Sequence, residues 1–159
     1  MIYNMKKIYL AHSGQEKTHG EHVQEILESN GFEVTNPFHK ENPYIHDLKW
    51  VNGKVIGQLN AESVKWIVET DLKFIDECDA VVMLYPKIPI PTIGTPCEML
   101  YAFQKNKPII VYTAEWCLHH PWIQHMATLQ FKDVYGLLSF MDIIAMDGFK
   151  YNTEIEDEE

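Results

Sequence analysis

Tyr9, Asp71 and Glu98 are the side chains in this sequence best suited to chemistry, and they sit on three different elements. Glu98 is the leading candidate. An apolar run, Asp79-Ala80-Val81-Val82-Met83-Leu84-Tyr85-Pro86, is followed by a proline-rich loop and then by Gly94-Thr95-Pro96-Cys97-Glu98-Met99-Leu100-Tyr101-Ala102. This pattern predicts a buried strand, a turn, and a helix beginning at or just after Gly94-Thr95-Pro96. A carboxylate in the first turn of that helix lies at the carboxyl end of a parallel strand, where open α/β sheets bind ligands. The positive helix N-terminus would hold it ionised. An ionised carboxylate in a crevice is what covalent catalysis at a sugar carbon requires. The plain alternative is a solvated helix carboxylate, and periodicity alone does not decide between them.

Asp71 falls mid-helix beside the apolar positions Val68, Leu72 and Ile75, while Glu69 and Lys73 fall on the exposed side. A carboxylate next to an apolar stripe is costly unless paired. It is either the rim member of a salt bridge or an acid with a raised pKa. Tyr9 ends the first strand, where its hydroxyl could reach a crevice carboxylate or be satisfied within the core. His19 and His22 stand three apart on a helix, and His119, His120 and His125 cluster, yet no second cysteine and no His-Glu-x-x-His motif completes a metal set. We expect no metal and no cofactor. Ser13-Gly14 has too few glycines for a dinucleotide fingerprint or a P-loop, but its backbone N–H groups could serve a small anion.

The elements that must position these residues alternate. Lys6–Ala11 reads as a strand, and a helix is expected from an N-cap at Thr18 to a stop at Asn30-Gly31, with Val23, Ile26 and Leu27 inward. Phe32–Thr35 reads as a short strand. Residues 38–59 show no clear period, and a loop of that length is usually functional. A helix over about 60–78 carries Val64, Ile67, Val68, Leu72 and Ile75 at helical spacing. Then follow a strand at 80–85, a helix at 96–106, a strand at 108–113, a helix over 121–129, and a last strand and helix within 131–145. The alternation predicts a doubly wound α/β sandwich with a mostly parallel sheet of about five strands.

The chain has 159 residues, 46% hydrophobic, which suits one domain with a real core, expected over 1–150. Net charge is −10, which disfavours nucleic-acid polymers as partners. Glu154, Glu156, Asp157, Glu158 and Glu159 give residues 151–159 the character of an acidic, mobile tail. No apolar stretch reaches membrane-spanning length. Three widely spaced cysteines, Cys78, Cys97 and Cys117, fit reduced thiols in a cytoplasmic protein.

Taken in order, Lys7-Ile8-Tyr9-Leu10-Ala11, Val68-Glu69-Thr70-Asp71-Leu72, Glu77-Cys78-Asp79-Ala80-Val81-Val82, Gly94-Thr95-x-x-Glu98-x-x-Tyr101-Ala102 and Asn106-Lys107-Pro108-Ile109-Ile110-Val111 resemble the nucleoside 2-deoxyribosyltransferase family. The resemblance runs from Lys7 to about Met126, with a poorly matched middle loop. It implies a flavodoxin-like sandwich. It also implies that Glu98 is a nucleophile forming a deoxyribosyl-enzyme, that Asp71 protonates the leaving base, and that Tyr9 orients Glu98. The implied partners are a small deoxynucleoside or deoxynucleotide and a free nucleobase, in a homo-oligomer whose subunits share active sites. His125 or Gln124, with Gln124 favoured, is the residue that would reach a neighbour's site.

The chain departs from the family pattern in two places. The transferases carry an Asp six residues before the nucleophile, on the sugar 5′-hydroxyl; here that residue is Thr92, with Gly94 beside it among the substrate-binding positions. A related branch, the 5′-monophosphate N-glycosidases, has a small hydroxyl residue there, which would not repel phosphate. That branch also carries an Arg in its first loop, where this chain has Ser13-Gly14-Gln15-Glu16. The leading expectation is base exchange on 2′-deoxynucleosides. Hydrolysis of deoxynucleoside monophosphates is its closest rival, and a non-catalytic nucleotide-binding module is the rival of another class.

Overall fold

A computed structural model describes residues 2–3, 5–38, 49–51, 54–57, 59–90, 92–147 and 149–150. The tail at 151–159 and the middle-loop residues 39–48 lie outside them. Nine strands, β1 (Ile2–Tyr3), β2 (Lys7–His12), β3 (Glu33–Thr35), β4 (Lys49–Val51), β5 (Lys54–Ile56), β6 (Ala80–Leu84), β7 (Ile109–Tyr112), β8 (Leu129–Phe131) and β9 (Phe149–Lys150), are present among the described residues. They are joined by the helices α1 (Lys17–Ser29), α2 (Ala61–Glu77), α3 (Gly94–Gln104), α4 (Pro121–Met126) and α5 (Val134–Asp147). The central sheet has five strands in the order β3-β2-β6-β7-β8, all parallel. That is the expected doubly wound α/β fold. β1 pairs with β9 and β4 with β5, each antiparallel.

β6 and β7 are buried at every position, as strands covered on both faces must be. The two faces hold separate clusters. Ile8 and Leu10 of β2 pack with α1 and α5, whereas Tyr9 and Ala11 pack with residues of α2, α3 and α4. The chain leaves β2 outward to β3 and returns on the other side to β6, so the order reverses between β2 and β6. A crevice opens beyond the carboxyl ends of strands at such a switch point. At the opposite end, Asp79 Oδ2 accepts the backbone N–H groups of Lys6 and Lys7, both at 2.8 Å, tying the two strand starts together.

Helix α1 begins two residues earlier than expected, after a 3-10 turn at Gly14–Glu16, and Thr18 is not its cap; Glu16 holds that place without a side-chain bond. Its end is as expected. Gly31 takes φ 94°, and the N–H groups of Gly31 and Phe32 return to Glu28 O and Leu27 O. The middle segment is not wholly irregular: β4 and β5 form a hairpin there. Its signal, Asn52-Gly53 between Trp50-Val51 and Val55-Ile56, is in the sequence and was outweighed by the aperiodic residues before it.

Helix α2 brings the main correction. Asn60 caps it, accepting the Ser63 N–H at 2.8 Å. The face it buries, however, is not the valine stripe. Val64 and Val68 are 47% and 51% exposed, while Ser63 and Ile75 are buried and Ile67, Asp71 and Phe74 are partly buried. The helix is turned so that Asp71 goes inward at the expense of two valines.

The first loop is held by His12. Its ring is buried between Ser13 O (Nδ1, 2.9 Å) and Asn36 Oδ1 (Nε2, 3.0 Å) and stacks on Phe38 with centroids 4.8 Å apart. A Cβ at Gly20 of α1 would run into the His12 ring. The ring is pinned on three sides and cannot swing away. Gly20→Ala is therefore expected to destabilise the protein by about 1–3 kcal/mol, despite a helix-propensity gain of about 1 kcal/mol. Urea denaturation midpoints check this.

Candidate active site

Three elements converge on the crevice. β2 supplies Tyr9, whose alternation puts its ring on the α2/α3 side of the sheet. α2 supplies Asp71 from its turned face, and α3 supplies Glu98. The Tyr9 hydroxyl donates to Glu98 Oε1 at 2.8 Å, joining residues 89 apart in the chain. Asp71 and Glu98 are each partly buried, withdrawn from bulk water but still reachable.

Their electrostatics are coupled. Burial pushes the Glu98 carboxyl up to about 7, and the Tyr9 hydrogen bond opposes that rise. Burial also lifts Asp71 to about 7, and the neighbouring Glu98 charge adds to the shift. The Tyr9 phenol is pushed well above its usual value, first by burial and then by the charges of Glu98 and Asp71. Tyr9 therefore remains a hydrogen-bond donor at any pH at which the protein works. Two adjacent carboxyls resist double ionisation. Tyr9 favours the charge on Glu98, and among the described residues no group donates to Asp71. The shared proton belongs on Asp71 and the charge on Glu98.

One expectation is corrected here. Glu98 lies beyond the first turn of α3, which starts at Gly94 and has no acidic residue in that turn. The helix N-terminus does not hold it ionised; burial raises its pKa, and Tyr9 supplies the opposing stabilisation.

The remaining predicted residues are distributed around this centre. Thr92 is partly buried in the loop leading into α3, and Gly94 is the first residue of that helix, with open space where a Cβ would stand. Ser13 is buried after β2, and Gly14 opens the 3-10 turn. Gln124 lies on α4, exposed, with His119 as its partner at 3.5 Å. Among the described residues no group of histidines, cysteines and carboxylates could hold a metal ion.

Sequence reasoning missed Tyr85. It is buried at the end of β6, donates only weakly to Met99 Sδ at 3.6 Å, and has its phenol pKa raised by burial, then by Cys117 and Glu98. Its place directly before Pro86, at a strand end, was the available signal. Trp116 lies beside Tyr85, their rings 6.4 Å apart. Its indole N–H donates to Pro86 O at 2.8 Å, fixing the start of the proline-rich loop.

The family model described as nucleoside 2-deoxyribosyltransferase matches residues 8–157. The chain belongs to that family. Members of the nucleoside 2-deoxyribosyltransferase family are transferases or N-glycosidases acting on the N-glycosidic bond, with small nucleosides, nucleotides and nucleobases as reactants, and this protein is an enzyme of that kind. Among solved structures, a 2-deoxyribosyltransferase from Bacillus psychrosaccharolyticus is 20% identical, with a TM-score of 0.62, over 83% of this chain and 90% of that one. A Clostridium botulinum CMP N-glycosidase is 22% identical, with a TM-score of 0.55, over 87% of this chain and 99% of that one. At these identities both likenesses show the fold. No curated protein sequence matches the chain.

The paired carboxyls carry a consequence for stability. Their folded-state pKa values, about 7, lie above the unfolded values of roughly 4. Their protonated forms therefore favour folding. That contribution is complete below the unfolded pKa and is lost as pH rises through about 7. Asp71→Asn removes one of the two titrations. Between about pH 5 and about pH 8 the variant should lose on the order of 1–2 kcal/mol less stability than wild type, measured by urea denaturation at both pH values.

Proposed function

We propose that the protein exchanges the base of 2′-deoxynucleosides through a covalent deoxyribosyl-Glu98 intermediate. The observation that carries this reading is the Tyr9–Glu98 hydrogen bond at 2.8 Å beside the inward-turned Asp71. Tyr9 occupies Oε1, which leaves Oε2 for attack on the anomeric carbon. As the C1′–N bond breaks, the proton on Asp71 passes to the base nitrogen and the C1′–O bond to Glu98 forms. The transition state is oxocarbenium-like, and a carboxylate on the opposite face stabilises its charge before trapping it. An incoming base then attacks C1′, its proton passes to Asp71, and Glu98 leaves with the configuration retained. Ser13, Gly14, Thr92 and Gly94 line the crevice around the sugar and its substituents.

A specific feature favours a second reading, hydrolysis of a deoxynucleoside 5′-monophosphate. Thr92 places a hydroxyl where transferases carry a carboxylate, so a phosphate would meet no repulsion there. One structural relative, the CMP N-glycosidase, acts on a nucleotide.

We also propose a cytoplasmic homo-oligomer. Cys78, Cys97 and Cys117 are all free thiols. No helix among the described residues is long and apolar enough to cross a membrane. Val64 and Val68 of α2, Leu100 and Phe103 of α3, and Trp122 of α4 are exposed apolar side chains. They suit contact with a second copy, to whose site Gln124 would be presented.

Product analysis tests the main reading. With a deoxynucleoside and an added free base, wild type should form the new nucleoside with little free sugar, and Glu98→Ala should lower turnover by at least about a thousandfold. Base release from monophosphates alone selects the hydrolase, and full activity in Glu98→Ala removes the nucleophile.

A further inference from the structure

Tyr85 stands at the end of β6 with 4% of its surface exposed. Its position is fixed at two points. Its backbone N–H donates to Tyr112 O at 3.1 Å, and its ring meets Trp116 edge to face, which is itself anchored on Pro86 O. Among the described residues, its hydroxyl has no partner but a thioether, Met99 Sδ at 3.6 Å. Sulfur is a weak acceptor, so this contact offsets little of the cost of burying a phenol. Phenylalanine would fill the same space without that cost. A buried hydroxyl so poorly matched needs an explanation.

The surroundings of the ring supply one. Val81, Met83 and Tyr85 alternate onto the α2/α3 side of the sheet, the side that holds Tyr9. Tyr9 lies opposite Val81 in the parallel ladder, so Tyr85 stands nearer the carboxyl edge on the neighbouring strand. Two phenols from adjacent strands therefore face α3 at two heights. Tyr9 donates to Glu98 at 2.8 Å, and Tyr85 donates to Met99, the next residue along. The Glu98 charge lifts the pKa of both phenols, so both lie within its field and both keep their protons. Tyr9 is committed to Oε1. Tyr85 would give up only a thioether by turning to the carboxylate.

We propose that Tyr85 is a positioning residue for Glu98, a second phenol donor that exchanges Met99 Sδ for Oε2 whenever that oxygen is charged and not bonded to sugar. This rests on the covalent reaction given under Proposed function. In its second step the incoming base nitrogen bonds to C1′, the C1′–O bond breaks, and the electron pair returns to Glu98. The proton of the base goes to Asp71, and Tyr85 keeps its own. The departing oxygen regains charge in a buried site, where Tyr9 covers only one of the two carboxylate oxygens. A donor to the other makes Glu98 a better leaving group. The first step gains nothing from it, because Oε2 must be released to attack.

Carbon-13 titration of the Glu98 carboxyl in substrate-free wild type and Tyr85→Phe, its signal assigned by loss in Glu98→Gln, tests the bond without turnover. In Tyr85→Phe the Glu98 midpoint should rise by about one pH unit, with Tm unchanged. Quenched-flow then reads the second step. At about pH 8, discharge of the deoxyribosyl-enzyme by an added base should be about tenfold slower in Tyr85→Phe, with kcat/KM for the donor nucleoside kept within about twofold. Tyr85→Leu, which also removes the ring, should lower Tm and kcat/KM together, separating packing from the hydroxyl. An unchanged Glu98 midpoint in Tyr85→Phe overturns the proposal. So does an unchanged discharge rate, or a lowered Tm with kcat and kcat/KM reduced alike. If wild type forms no adduct, the covalent reaction fails, and the midpoint alone decides whether Tyr85 serves Glu98.

Discussion

The hydrogen bond from Tyr9 to Glu98 is the contact around which the rest of the site is arranged. It crosses from β2, the second strand of the sheet, to a helix far along the chain. Its effect is electrostatic as much as structural. Burial pushes both Glu98 and Asp71 toward neutrality, and a single phenol donor breaks the symmetry between them. On the proposed mechanism, one carboxyl is left as a nucleophile and the other as an acid. Neither role is intrinsic to its residue type; environment assigns them, as it does in other paired-carboxylate sites.

The scaffold accepts costs to keep that pair together. Helix α2 turns a serine and an aspartate inward and leaves Val64 and Val68 outside. A helix selected for stability alone would do the reverse. Lys107 relieves some of the cost at the helix end, where its ammonium donates to Asp76 O at 2.9 Å and Cys78 O at 2.7 Å. The parallel sheet contributes rigidity: Asp79 and Lys107 hold the closed end, so the open end is left to the loops after β2 and β6. Those loops are in turn pinned, one by His12 between Ser13 O and Asn36 Oδ1, the other by Trp116 on Pro86.

Much of this was legible in the sequence, for physical reasons. Strands buried on both faces must be continuously apolar, and Ala80–Leu84 and Ile109–Tyr112 are. Gly31 marks the end of α1 because only a residue tolerant of positive φ fits there. The union of Tyr9, Asp71 and Glu98 was what the resemblance to the nucleoside 2-deoxyribosyltransferase family implied; each residue alone left it open. What periodicity could not show was the rotation of α2, because a period has no knowledge of which face a neighbouring helix needs. The start of α3 was misplaced by two residues for a similar reason: Pro96 suits a first turn but does not fix which residue opens it. That shift removed the helix dipole from the account of Glu98. Tyr85 carried only the faint signal of its place before Pro86, since a lone tyrosine says little until its surroundings leave its hydroxyl without a strong partner.

The central claim is that Glu98 carries the sugar. Acid quenching during turnover of a deoxynucleoside, followed by proteolysis and mass spectrometry, tests it directly. The account predicts a deoxyribosyl ester on the peptide containing Glu98, diminished when a second base is added to discharge it. Turnover with no adduct on that peptide, or with an adduct on another residue, contradicts the account.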